Sequence, residues 1–116
     1  VMTDPECDRA SRATEYLIES AAEIAAARAD LTKAENMLRV VKAMAMRMSN
    51  AKSVAAQETE AYASPQYLQA INDLTAATQA YEELRAKREA AKMRIEYWRS
   101  LNANQRGAER GYGSAA

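Results

Sequence analysis

The sequence predicts an all-α protein built as a long antiparallel two-helix hairpin with coiled-coil-like packing. Helix breakers are rare, because Gly and Pro together number five in 116 residues and Pro65 is the only one between residues 6 and 106. Apolar residues recur at alternating steps of three and four along two segments, as on the buried face of a coiled-coil helix. Pro65 separates the two segments, so we predict that the chain reverses there.

The first helix is predicted to span about residues 5–62. Thr3 or Asp4 can cap its start, and Pro5 suits the first helical turn. Two heptad rows then continue through the segment. One row is Leu17, Ile24, Leu31, Leu38 and Ala45, and the other is Ala13, Ser20, Ala27, Ala34, Val41, Met48, Ala55 and Tyr62.

The second helix is predicted to span about residues 66–106, after a turn at residues 63–65. Its apolar stripe is Ala70, Leu74, Ala77, Tyr81, Leu84, Arg88, Ala91, Ile95 and Trp98. Arg88 interrupts the stripe, and we interpret it as a snorkelling side chain or a partner of Glu35, with a polar layer in an oligomer as the alternative. Gly107 is a natural stop, so we predict a single domain over residues 1–106 and a disordered tail over residues 107–116.

The distribution of charge along the sequence supports a chain reversal at Pro65. Residues 1–35 carry eight acids and four bases, whereas residues 85–110 carry eight bases and three acids. Residues 36–57 carry four bases and no acid, and residues 58–84 carry five acids and no base. A reversal at Pro65 sets each basic block beside an acidic one and places Tyr97 and Trp98 opposite the alanine-rich residues 21–30.

The two predicted helices differ in length, which leaves the first 20 or so residues beyond the end of the hairpin. That segment is predicted either to bend or to pack on another subunit. Two helices alone also leave large apolar side chains uncovered, and small scaffolds of this kind gain stability by self-association. We therefore predict a homo-oligomer whose interface includes Tyr16, Leu17, Met37, Met44, Tyr67 and Ile71.

Composition argues against an enzyme. The chain has no His, a single cysteine (Cys7) and no Gly-rich loop before a helix, so the usual nucleophile–base pairs, metal sites and phosphate loops lack their residues. We expect no catalytic residue, no metal and no cofactor. There is no apolar run of about 18 residues, so we expect no membrane span. A lone thiol suits a reducing cytoplasm, which is the predicted location.

The end of the second helix is rich in arginine and tyrosine. Arginines hold phosphates and exposed rings stack on bases in proteins that bind single strands without sequence preference. We therefore predict a nucleic-acid-binding set here. It consists of Arg94, Tyr97, Arg99, Arg106 and Arg110.

A long first helix, a hairpin around AYASPQY and a second helix that ends in EYWRSLNANQRG give the chain a resemblance to small helical proteins of tailed phages. In outline it is similar to the UvsY-type recombination mediators over about residues 30–107. The resemblance implies a ring-forming cytoplasmic protein, in the host cytoplasm if phage-encoded, that binds single-stranded DNA and helps to load a recombinase. The acidic residues 1–35 and the net charge of zero depart from that pattern.

Two functions follow as hypotheses. The first is an oligomeric, non-enzymatic accessory factor that binds single-stranded DNA and recombination proteins. The alternative is a protein-only interaction module, such as an assembly chaperone, a virion scaffold or an inhibitor of a host defence complex.

Overall fold

The computed structural model describes the backbone of residues 4–115 and the side chains of residues 4–111. The described chain forms four α-helices and no strand, which confirms the all-α prediction. The helices are α1 (Pro5–Glu19), α2 (Ala21–Met48), α3 (Val54–Tyr62) and α4 (Pro65–Ala115). Residues 1–3 and 116, which the predicted domain and tail include, lie outside the described residues.

The first helix begins as the sequence predicts. The Asp4 carboxylate accepts a hydrogen bond from the Glu6 backbone N–H at 3.1 Å, and Pro5 occupies the first turn. It does not continue to residue 62, because α1 ends at Glu19. At Ser20 the hydroxyl donates to the Tyr16 carbonyl at 2.6 Å, a side-chain bond that competes with regular helix geometry.

A second interruption lies at residues 49–53, between α2 and α3. The Ser49 hydroxyl accepts from the Ala51 backbone N–H at 3.1 Å, and Ser53 caps α3 by accepting from Ala56 N–H at 3.1 Å. Serine side chains stabilise such turns and caps by bonding to nearby backbone groups. The chain therefore begins to reverse at Ser49, earlier than the predicted turn.

The turn before α4 lies where the sequence predicts it. The Ser64 hydroxyl accepts from the Tyr67 backbone N–H at 3.2 Å, and Pro65 is the first residue of the helix. The predicted stop at Gly107 is wrong, because α4 continues to Ala115. The predicted disordered tail over residues 107–116 is therefore helical as far as residue 115. Gly107 adopts no positive φ, so it stays in the helix instead of ending it.

Where we predicted one domain, the chain divides into two compact units. Unit 1 comprises residues 1–22 and 85–116, and unit 2 comprises residues 23–84.

In unit 2, α2 and α3 pack against the first part of α4. The buried residues are Ala27, Leu31, Ala61 and Ala70. The Arg28 guanidinium lies 5.5 Å from the centroid of the Tyr81 ring, whereas a groove near the other end of α2 is lined by both Met44 and Gln66. Residue numbers thus rise along α2 as they fall along α4, so these two segments run antiparallel.

In unit 1, α1 packs against the C-terminal part of α4. Ala10, Ala13, Ser20 and Ala91 are buried between them. The Arg88 guanidinium donates to the Leu17 carbonyl at 2.7 Å and to the Ser20 hydroxyl at 2.6 Å. Residues 4–20 therefore pack on α4 of the same chain and do not project beyond the fold as predicted. The predicted register was wrong because the chain reverses from Ser49 onward.

The heptad rows identify the inward faces correctly up to the first turn. Every residue of the predicted α4 stripe is buried or half-buried, as are both rows of the first segment from Ala13 to Ala45. The rows fail at Met48, which is 83% exposed, and at Ala55 and Tyr62, which are also exposed. They fail there because the heptad count assumes a helix that residues 49–53 interrupt.

Candidate nucleic-acid interface

Unit 1 carries an open groove of about 450 Å³ between α1 and α4. Four basic side chains surround it: Arg9, Arg12, Lys87 and Arg94. Alanines and Tyr16 complete the lining, and the groove exists because these alanines have short side chains. Two grooves of unit 2 are less basic, because one is lined by no base and the other by Lys33 alone.

Helical spacing brings the four bases together. Arg9, Arg12 and Tyr16 follow one another at steps of three and four, so they share one face of α1. Lys87 and Arg94 are seven residues apart, which is two turns on one face of α4. Contact between α1 and α4 then brings the two pairs to a single groove.

The cations on α1 are partly neutralised, whereas those on α4 are not. Arg9 forms an ion pair with Glu6 at 2.8 Å, and Arg12 forms one with Asp8 at 3.5 Å. Both pairs are solvent-exposed, and such pairs contribute only about 0–1 kcal/mol, so an incoming anion can replace the carboxylates. Within residues 4–111, Lys87 and Arg94 form no ion pair.

Tyr16 contributes a second polar feature to the groove lining. Its hydroxyl is buried and makes no hydrogen bond with any residue that the structure describes. A buried hydroxyl without a partner costs about 1–3 kcal/mol. The Tyr16 hydroxyl therefore gains free energy if a bound ligand brings it an acceptor.

The predicted nucleic-acid-binding residues divide between two sides of α4. Arg94 lines the groove, and Tyr97, three residues further on and 56% exposed, lies on the same side of the helix. Arg99 lies on a different side and pairs with Glu96 at 2.7 Å. Arg106 and Arg110 are exposed on α4 and do not line the groove.

Three bases of the groove were not among the predicted residues. Arg9 and Arg12 lie in a segment whose net charge is negative, because acids such as Glu6 and Asp8 outnumber its bases. Net charge alone therefore does not indicate a basic site there. Lys87 lies in the basic block that the sequence predicts to neutralise the acidic residues 1–35. A search for bases at steps of three or four next to a tyrosine, such as Arg9, Arg12 and Tyr16, would have found the α1 half.

The predicted oligomer residues also differ in their exposure. Leu17 and Tyr67 are half-buried at heptad positions, and Tyr16 lines the basic groove. Met37, Met44 and Ile71 are exposed, by 42%, 61% and 39%. These last three remain available for contact with another chain.

Arg88 lies in unit 1, where it bonds to α1 and not to Glu35. Its positive charge lies at the carboxyl end of α1, where the helix dipole favours a cation. The interpretation as a Glu35 partner was therefore wrong.

The described residues offer neither a metal-binding cluster nor a membrane-spanning helix. No group of three or more His, Cys, Asp or Glu side chains is placed to hold a metal ion there. In the same part of the chain, none of the helices has the combined length and hydropathy of a membrane span.

Comparisons with protein-family models, with curated proteins and with solved structures gave no match to this chain.

Proposed function

We propose that this protein is a non-enzymatic helical accessory factor that binds single-stranded DNA along the basic groove of unit 1. The observation that carries the proposal is the convergence of four cationic side chains, Arg9, Arg12, Lys87 and Arg94, on one groove. Two of them have no ion pair within residues 4–111, so they offer charge to a phosphate without first releasing a carboxylate.

The groove suits a phosphate backbone for physical reasons. Phosphates bound by Lys and Arg release counterions, and this release drives binding at low salt. The alanine floor, with Ala13 and Ala91 each 6% exposed, lets a strand approach both helices closely. Tyr97 is exposed on the same side of α4 and can stack on a base, which contributes about 1–3 kcal/mol per base in single-strand binders.

A net charge of zero for the whole chain does not argue against this site. Unit 1 holds ten bases and eight acids, whereas unit 2 holds six bases and eight acids. The charge is therefore positive where the groove lies and negative in the other unit. DNA would respond to the local charge of unit 1, because interactions beyond about 10 Å are screened at physiological salt.

The finer parts of the proposal rest on sequence patterns and on the resemblance. Hairpin and coiled-coil packing is supported by the heptad rows that face inward from Ala13 to Ala45. Self-association is supported by the apolar side chains that remain exposed, among them Met44 and Ile71. A recombination protein as partner, a phage source and a cytoplasmic location follow only from the likeness to recombination mediators and from the single cysteine.

The test is fluorescence anisotropy of a labelled single-stranded oligonucleotide, titrated at several salt concentrations. Lys87→Ala combined with Arg94→Ala should weaken binding and lower the slope of log K against log salt by about 0.7 for each lost phosphate contact. Tyr97→Ala should weaken binding about tenfold or more with no change in the slope. The matched control is Arg39→Ala with Lys52→Ala, which removes the same charge from unit 2.

Two results would contradict the proposal. One is the absence of binding at micromolar protein and low salt. The other is equal binding by the groove variant and the control, since affinity would then depend on charge in general and not on the groove. A variant with Arg99→Ala and Arg106→Ala separates the two parts of α4, because these residues do not line the groove and their loss should have the smaller effect.

A protein-only interaction module is the second candidate, and one observation favours it. No large side chain among the described residues is fully buried, and Met37, Val40, Met44 and Met48 are exposed in unit 2. An exposed apolar patch of this kind is typical of a protein-binding surface. This function predicts no salt-dependent DNA binding, and partner binding that is lost when Met37 and Met44 are changed to glutamate.

A further inference from the structure

Helix α2 exposes an apolar stripe in unit 2. Met37, Val40, Met44 and Met48 follow one another at steps of three and four, so they lie on one face of the helix. Their exposed fractions are 42%, 44%, 61% and 83%. We call these four residues the methionine stripe.

The methionine stripe borders two grooves. The first, of about 220 Å³ between α2 and α4, is lined by Met37 together with Asp30, Lys33 and Asp73. The second, of about 460 Å³, is lined by Met44 and Met48 and, from α3, by Glu60. The stripe and these grooves together form a surface that can seat another helix, and methionine side chains adapt well to such a contact.

Charges at the two ends of the stripe indicate what that helix is. Asp30 lies before the stripe and Arg47 near its end, and within the described residues neither forms an ion pair. They are 17 residues apart on one helix, roughly 25 Å at 1.5 Å per residue, so they cannot pair within one copy. An antiparallel second copy brings Arg47 of each chain to Asp30 of the other. A parallel copy sets like charge against like.

We propose that the methionine stripe is the interface of a symmetric homodimer in which α2 packs antiparallel on α2 of a second copy. Met37 of each chain then contacts Val40 of the other, and two Asp30–Arg47 pairs close the ends. Asp73 and Lys33 line the same groove as Asp30, so two carboxylates and one base face the incoming arginine and the balance stays acidic. The dimer covers apolar surface that one chain leaves in water, which favours association.

This arrangement does not depend on DNA binding, because the stripe lies in unit 2 and the basic groove in unit 1. It also explains why the chain tolerates so small a core. The buried apolar residues of the described chain are six alanines and Leu31, and small helical scaffolds with such cores gain stability by association.

The test is sedimentation equilibrium of the full chain over a range of concentrations. Wild type should dimerise, and Met44→Glu should weaken the dimer about a hundredfold, since it buries a charge where an apolar side chain was. Arg47→Asp alone, or Asp30→Arg alone, should weaken it about tenfold by placing like charges together at both ends. The double variant Asp30→Arg with Arg47→Asp should recover most of the affinity that either single reversal loses, because each new aspartate then faces a new arginine, with Asp73 as the only remaining like charge.

The control is Arg39→Asp, which changes charge by the same amount two residues from Met37, on the opposite side of α2. It should leave dimerisation unchanged. Asp30 and Arg47 are too far apart to pair within one copy, so rescue by the double variant reports a contact between chains. This test remains valid even if Met44→Glu disturbs folding. The proposal is overturned if the chain is a monomer at all concentrations. It is also overturned if neither Met44→Glu nor the single charge reversals change the dimer dissociation constant.

Cross-linking distinguishes the antiparallel arrangement from a parallel one, in a Cys7→Ser background. Val40→Cys lies close to the symmetry axis, so a short thiol cross-linker should join the two copies. Met48→Cys should not be joined, because its two copies lie roughly 28 Å apart along antiparallel helices. Efficient cross-linking of Met48→Cys would show a parallel pair and refute the arrangement.

Discussion

Arg88→Ala should destabilise unit 1. In the structure one nitrogen of the Arg88 guanidinium donates to the Leu17 carbonyl at 2.7 Å and to the Ser20 hydroxyl at 2.6 Å. Ser20 is 2% exposed, and its hydroxyl in turn donates to the Tyr16 carbonyl. The guanidinium, the serine hydroxyl and the two backbone carbonyls form a connected network at the carboxyl end of α1, and alanine removes the charged donor from it.

The magnitude follows from the contacts. A hydrogen bond from a charged donor contributes about 1.5–3 kcal/mol, and a cation at a helix C-terminus adds about 0.3–1 kcal/mol. The two bonds use the two N–H groups of one nitrogen of a single cation, and such contributions are not additive, so we expect a loss of about 2–4 kcal/mol. That is a large part of the roughly 5–15 kcal/mol by which domains are stable.

The assay is denaturant unfolding followed by far-UV circular dichroism. The matched control is Arg99→Ala, whose exposed pair with Glu96 should contribute about 0–1 kcal/mol. Ser20→Ala and the double variant complete a cycle with Arg88→Ala, and a coupling of about 0.5–3 kcal/mol is expected for groups in one network. Additive losses, or an Arg88→Ala loss no larger than that of the control, would refute the reasoning.

Two further predictions concern α4 and unit 2. Gly107→Ala should stabilise the end of α4 by up to about 1 kcal/mol, because an added Cβ meets no atom within 4 Å and alanine favours helix over glycine. The stabilisation would appear as slower amide hydrogen exchange around residue 107. Unchanged exchange would mean that α4 ends before residue 107. Tyr62 and, to a smaller extent, Glu58 raise the pKa of Lys42 above 10.5, with partial burial acting against them. A raised folded-state pKa means that the contribution of Lys42 to stability is complete below pH 10.5 and is lost as pH rises through the folded pKa. Lys42→Met should therefore flatten the fall in stability above that pH, and an unchanged alkaline profile would contradict this prediction.

Much of the helical architecture could be predicted because it depends on local chemistry. Asp4 and Pro5 mark the start of α1, and Ser64 with Pro65 marks the start of α4, through bonds within a few residues of each other. Heptad spacing likewise identified the inward face of α4 from Ala70 to Trp98. Each of these features follows from backbone geometry and side-chain spacing along one segment.

The breaks at Ser20 and residues 49–53 could not be located in the same way, although the difference in helix length predicted a bend near residue 20 as one of two alternatives. Neither contains Gly or Pro, and serine inside a helical pattern is compatible with a continuous helix. At Ser20 a distant residue takes part, because Arg88 bonds to Leu17 and to the serine hydroxyl from 68 or more positions away. At residues 49–53 the Ser49 hydroxyl donates to the Glu60 carboxylate of α3, 11 residues further along the chain. Hydrophobic periodicity within one segment gives no information about such a contact.

The candidate site shows the same division. From the composition of one segment the sequence predicts Arg94 and Tyr97 as candidate binding residues, whereas Arg9 and Arg12 lie at one groove with Arg94 only because α1 packs beside α4. By itself the sequence determined the helix class, the inward faces and the end of α4 where bases accumulate, because these follow from local propensity and periodicity. The tertiary structure decided the register and the groove. Register depends on where the chain reverses, and moving the reversal from Ser64 to Ser49 changes every cross-helix neighbour at once.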